Sequence, residues 1–200
     1  DKHVTGVQTC ALPIWAPMMS LVPASSWAVP LIAEAGFTYS SSVLPGPSPL
    51  YGWPGLPRRP FRWSGGPIEF PCPMVRLGLI DLPYLGGTYL RLLPAAVRRI
   101  GLRRAAQDEA LWAYCHPWEF DTEEAFHQHD HIGTLASRIA WLGRSRMGRQ
   151  LGRLLRESVA PPLGEVADDL AGDDLPVVDP NRPPELGWVA RWANGRLRQR

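Results

Sequence analysis

Residues 111–122 read LWAYCHPWEFDT, and His116 is the side chain there best placed to move a proton. The run 111–115 favours a strand, and Pro117 stops it. One imidazole would then stand at the end of a buried strand, the position at which α/β barrels keep their chemistry. Histidine changes charge near neutral pH, which suits a general acid or base. The competing reading is a structural histidine at a strand end. Leu111, Trp112, Tyr114 and Trp118 are placed to wall it with apolar surface.

Other reactive groups are weaker candidates. Cys115 adjoins His116, but neighbouring strand residues point to opposite faces, which argues against a thiol–imidazole pair. Cys10, Cys72 and Cys115 make no disulfide framework. His127, His129 and His131 would share one face of a strand and could hold a metal. Their surroundings have no strand character, which favours a solvated loop. Arg138, Arg144, Arg146, Arg149, Arg153 and Arg156 precede any acid in the stretch 134–157. They suit either a surface for an anionic polymer or a solvated helix with arginine stems packed along it.

The elements that must position these groups follow from local signals. Ser25 or Ser26 can cap a helix over 27–35, with Gly36 as its stop. Residues 37–42 alternate like a strand. The proline- and glycine-rich stretch 43–60 reads as a long loop. Short strands are expected at 61–63 and 68–75, joined by a turn at 64–66. A helix over 90–106 is interrupted by Pro94, with Arg98, Arg99, Arg103 and Arg104 on its solvated face. A second helical region, 134–157, breaks near Gly143. Residues 161–200 read as a loosely ordered tail in which Trp188 and Trp192 could dock one helical turn.

Composition sets outer bounds. Two hundred residues with 45% apolar content fit one domain with a tail. A net charge of +2 implies no strongly acidic or basic partner, and no nucleic acid is expected. Lys2 is the only lysine among 21 basic residues, a bias of codon usage rather than of function. Nothing approaches 18 consecutive apolar residues, so no transmembrane segment is expected.

Residues 4–14, VTGVQTCALPI, resemble a sequencing-library adapter translated in frame. Residues 1–14 are therefore set aside from the fold. From about 16 to 155 the chain resembles the C-terminal part of polysaccharide deacetylases of the NodB-homology type found in exopolysaccharide gene clusters, including their C-terminal domain of unknown function. Six ordered blocks carry the resemblance: 27–37 (WAVPLIAEAGF), 39–45 (YSSSVLP), 60–62 (PFR), 68–71 (IEFP), 86–94 (GGTYLRLLP) and 116–121 (HPWEFD).

The resemblance implies an α/β fold: the C-terminal part of a distorted (β/α) barrel, incomplete in this chain, over 15–160. It implies metal-dependent N-deacetylation of an acetylated polysaccharide or oligosaccharide, a hydrolysis of the acetamide C–N bond. His116 matches the family's proton-donating histidine. Ser40 stands where the family has an aspartate beside that histidine, which removes a full negative charge. Trp118 either stacks on a sugar or packs in the barrel. Tyr89 and Arg91 either contact sugar hydroxyls or serve as helix-start packing and surface charge. The family's divalent metal, zinc by expectation, is held by motifs upstream of this chain, so no metal ligand is expected here and the chain alone should be inactive. The expected partner is an N-acetylated polysaccharide of a cytoplasmic or periplasmic cell-envelope pathway. The alternative is a non-catalytic carbohydrate-binding protein on a degenerate deacetylase fold, which Ser40 favours.

Overall fold

The computed structural model describes residues 21–48, 52–105, 110–128, 133–157 and 161–182. The adapter-like segment, His129, His131, Trp188 and Trp192 lie outside them. The described residues fall into two compact units. One holds 21–48, 52–82, 110 and 161–182; the other holds 83–105, 111–128 and 133–157.

The first unit begins with α1 (Ala28–Glu34), which buries Val29 and Ile32. Pro30 sits in its first turn, where a missing N–H costs little. Gly36 ends it at φ 84, a left-handed turn open to glycine. Strands β1 (Tyr39–Ser40), β2 (Phe61–Trp63) and β3 (Ile68–Glu69) follow. The expected strand 68–75 is split, because Pro71 and Pro73 have no N–H to give a ladder. Its second half becomes β4 (Met74–Leu77), hairpinned with β5 (Ile80–Pro83). Asp81 in that hairpin pairs with Arg58 at 2.6 Å and Arg76 at 2.7 Å.

The expected loosely ordered tail is corrected where it is described. Residues 163–178 form α6 (Leu163–Asp169), a tight turn and β6 (Val177–Val178). Strand β6 pairs parallel to β2, with Arg62 opposite Val177 and Trp63 opposite Val178. The sheet order is β1-β3-β2-β6; β1 is parallel to β3, and β3 antiparallel to β2. Composition hid this because the pairing joins residues more than a hundred apart, and a two-residue strand carries no periodicity. The core holds Val29, Ile32, Val43, Trp53, Phe61, Trp63 and Val178.

One buried carboxylate organises this unit. Glu69 is 0% exposed. Its Oε1 accepts the N–H groups of Ser42 at 2.6 Å and Val43 at 3.0 Å, and its Oε2 accepts Trp63 Nε1–H at 3.2 Å. Burial pushes its pKa up, while hydrogen bonds from Ser40, Trp63, Ser42 and Val43 pull it down by less. Both oxygens face N–H donors. An amide at this position must turn its NH₂ towards one of them, so Glu69→Gln is expected to lower stability by about 1–3 kcal/mol. Urea unfolding checks this, and an unchanged midpoint would contradict it.

The second unit runs from an extended segment into α2 (Gly87–Leu92) and α3 (Ala95–Arg104), which Pro94 separates. Helices α4 (Gly133–Trp141) and α5 (Arg144–Glu157) follow, broken at Gly143 with φ 77. Helix α2 packs on α5. Arg98 departs from the expected solvated face of α3: it is 5% exposed and donates from Nη1 to Gln150 Oε1 at 3.1 Å.

The strand expected at 111–115 is reduced to one parallel bridge, between Tyr114 and Gly86. Exposure still alternates, with Trp112 and Tyr114 buried and Ala113 and Cys115 exposed. One face of an extended segment is thus covered, rather than both faces of a central strand. The first unit mixes helix and sheet, and the second is helical apart from the Gly86–Tyr114 bridge, so the described chain is mixed α and β. The expected part of a (β/α) barrel is not shown among the described residues, whose strands make one four-stranded and one two-stranded sheet. Among them, no helix is long and apolar enough to cross a membrane.

Candidate active site

His116 leaves the extended segment at φ −111, ψ 150, and Pro117 then opens a single 3₁₀ turn, Pro117–Glu119. Proline's fixed φ suits that first position. The turn returns Glu119 to His116 three residues on. Glu119 N–H donates to His116 O at 3.0 Å, and His116 N–H donates to Glu119 Oε2 at 2.8 Å. The same Oε2 lies 3.3 Å from His116 Nδ1. A proton on Nδ1 satisfies that contact and leaves Nε2, on the far side of the ring, for other work.

Glu119 is held from behind. It is 2% exposed, and its Oε1 lies 3.2 Å from Arg91 Nη2. Arg91 is 1% exposed and also donates from Nη2 to Thr88 Oγ1 and Ala140 O, both at 2.9 Å. Its surface-charge reading is therefore corrected: α2 turns Arg91 inward, where a buried carboxylate needs a cation. Loss of solvent pulls the guanidinium pKa down, Glu119 pulls it back up, and Arg144 lowers it again. Arg91 Nε and Nη1 have no hydrogen-bond partner among the described residues.

The glycine pair makes room for this arrangement. A Cβ on Gly86 would stand 1.8 Å from Tyr114 Cε1. A Cβ on Gly87, at φ 36, would stand 2.8 Å from Glu119 Oε1. Both positions demand glycine: one for the ring of the bridged tyrosine, the other for the carboxylate.

Aromatic rings flank the imidazole. Trp118 stacks on His116 at 4.0 Å and 21°, and Tyr114 meets it edge-on at 6.2 Å. His116 keeps 35% side-chain exposure, and Trp118 is 52% exposed. The site is thus a partly exposed imidazole backed by a carboxylate and an arginine. It can present a proton at Nε2 while Glu119 fixes the other nitrogen.

The remaining candidates fall elsewhere. Tyr89 is half-buried on α2. Ser40 belongs to the first unit, fully buried in β1 with its Oγ 2.9 Å from Ser42 Oγ and its backbone opposite Glu69. Cys72 is buried, and burial pushes its thiol up to about 12, which makes it inert at neutral pH. Among the described residues, no three His, Cys, Asp or Glu are grouped to hold a metal ion.

Sequence reasoning passed over Glu119 as His116's partner. The signal was its spacing: a histidine, a proline and an acid three residues on, the pattern of a side chain returning to the backbone at a helical start. Arg91 could not be assigned this way, because only the packing of α2 brings it to Glu119.

A family model described as a domain of unknown function (DUF3473) matches residues 41–162, more than half of the chain. No curated protein matches the chain, and no solved structure does.

Proposed function

The chain belongs to the DUF3473 family, whose domain accompanies polysaccharide deacetylases, and from that premise we propose that it serves in N-deacetylation of an acetylated polysaccharide. The observation that carries this reading is the imidazole of His116, oriented by Glu119 and left partly exposed beside Trp118. Hydrolysis of an acetamide joins a water oxygen to the carbonyl carbon and breaks the C–N bond. The departing nitrogen must take up a proton. His116 Nε2 supplies it, and Glu119 holds the ring through the transfer.

The other half of the reaction needs an activated water. A divalent metal would lower that water's pKa and polarise the carbonyl. The described residues offer no set of ligands for such an ion. In this reading the ion and the general base belong to residues outside the described part. The two sheets of the chain would contribute to a distorted (β/α) barrel completed by those residues.

A second reading is a carbohydrate-binding protein without catalysis, favoured by Ser40 in place of an acid. One assay separates them: acetate release from N-acetylated oligosaccharide by the chain joined to an upstream NodB-type half. Release that leaves a free amine on the sugar supports the hydrolytic reading. Binding without release supports the second.

A further inference from the structure

A cavity of about 530 Å³ lies within the second unit, lined by Trp118, Glu124, His127, Ser137, Trp141 and Arg144, with alanines between them. Its size falls in the ordinary range of small-molecule sites, about 300–1,000 Å³. Its lining is divided by chemistry. Two indoles, Trp118 and Trp141, provide apolar surface. Trp141 is fixed by its Nε1–H to Glu124 O at 3.4 Å and by Phe126 edge-on at 6.1 Å.

The polar side is a charge pair. Arg144 Nη1 donates to the Glu124 carboxylate and, at 3.4 Å, to Asp121 O. Arg144 side-chain exposure is 11%, and its buried Nε has no partner among the described residues. Glu124 neutralises the arginine, so the cavity is not built for an anion. This charge pair also disfavours a wholly apolar ligand, which would strip water from it and offer no hydrogen bond in return. A neutral ring with apolar C–H faces and hydroxyls at its edge satisfies every wall.

We propose that this cavity is a subsite for a hexopyranose unit adjoining the one whose amide is cleaved. The placement comes from Trp118, whose ring stacks on His116 and also lines the cavity. A sugar in the cavity therefore sits next to the imidazole, one indole away. This inference rests on the proposed deacetylase reading for the identity of the polymer, but not for the binding itself.

The test is calorimetric titration of the 200-residue chain with N-acetylglucosamine and N-acetylgalactosamine oligomers of one to four units. Affinity is expected to rise at least tenfold between the single sugar and the longer oligomers of one series. Trp141→Ala and Arg144→Met are expected to remove that rise, while His116→Ala keeps it. Glu124→Gln at the exposed rim keeps an acceptor for Arg144 Nη1 and guards against misfolding: its melt should remain cooperative, and its gain with length should fall several-fold. A rise with length that survives Trp141→Ala and Glu124→Gln overturns the subsite, as does absence of any rise in both series. Acetate release without dependence on these residues would spare the deacetylase reading and end this one. Length-dependent binding through Trp141 without acetate release would do the reverse.

Discussion

Arg91→Met is expected to destabilise the second unit by about 3–5 kcal/mol, because it leaves the Glu119 carboxylate buried without its cation. Arg91 and Glu119 are 1% and 2% exposed and 3.2 Å apart. Neither can turn to water without giving up its contacts with Thr88, Ala140 or His116. Methionine replaces the arginine stem in volume, so the loss reports charge rather than a cavity. The second change Glu119→Gln should recover part of the loss. A neutral amide still accepts from His116 N–H through its oxygen and needs no counter-charge. Hydrogen exchange at the amides of α2 and α5 reads the opening free energy of this unit directly. Equal protection in the parent and Arg91→Met would show that the pair contributes nothing.

His116→Ala is expected to lower the turnover number for acetate release by about 10²–10⁴-fold, the usual contribution of a positioned acid. The fold should survive, since the ring keeps 35% exposure and its closest ring contact is with the exposed Trp118. Glu119→Gln is expected to fall between the parent and His116→Ala in activity. It keeps the backbone bond from His116 N–H but weakens the partner at Nδ1, so the imidazole is less firmly set. The effect should fall on turnover more than on KM, because the proton is needed only as the C–N bond breaks. A loss confined to KM would instead place His116 in sugar binding.

Legibility in the sequence followed the range of the interactions. Helix α1, the break at Pro94 and the break at Gly143 were readable because each depends on a few neighbouring residues. The strands were readable as extended segments but not as a sheet. Nothing local says that Val177 lies opposite Arg62, or that 111–115 is bridged only at Tyr114. The prolines at 71 and 73 divided β3 from β4, a signal present in the sequence and outweighed there by the apolar run.

The site divides in the same way. His116 announces itself by type and by the proline that follows. Glu119 was within reach of the same argument, as an acid one turn along. Arg91 looked like a surface charge because it falls in the helix expected over 90–106, whose other arginines were read as a solvated face, and its burial depends on contacts with Glu119 and Ala140 far along the chain. Ser40 drew attention as a missing acid. The carboxylate opposite it in the sheet, Glu69, became visible only with the register of β1 and β3.

The most direct measurement is acetate release by the chain joined to its upstream half, compared between the parent and His116→Ala on an N-acetylated sugar and on an acetanilide whose weakly basic leaving nitrogen needs little help from an acid. The account predicts that His116→Ala is slowed by about 10²–10⁴-fold on the sugar and far less on the anilide. Equal losses on both substrates, or undiminished turnover on the sugar, would show that the departing nitrogen takes its proton from another group.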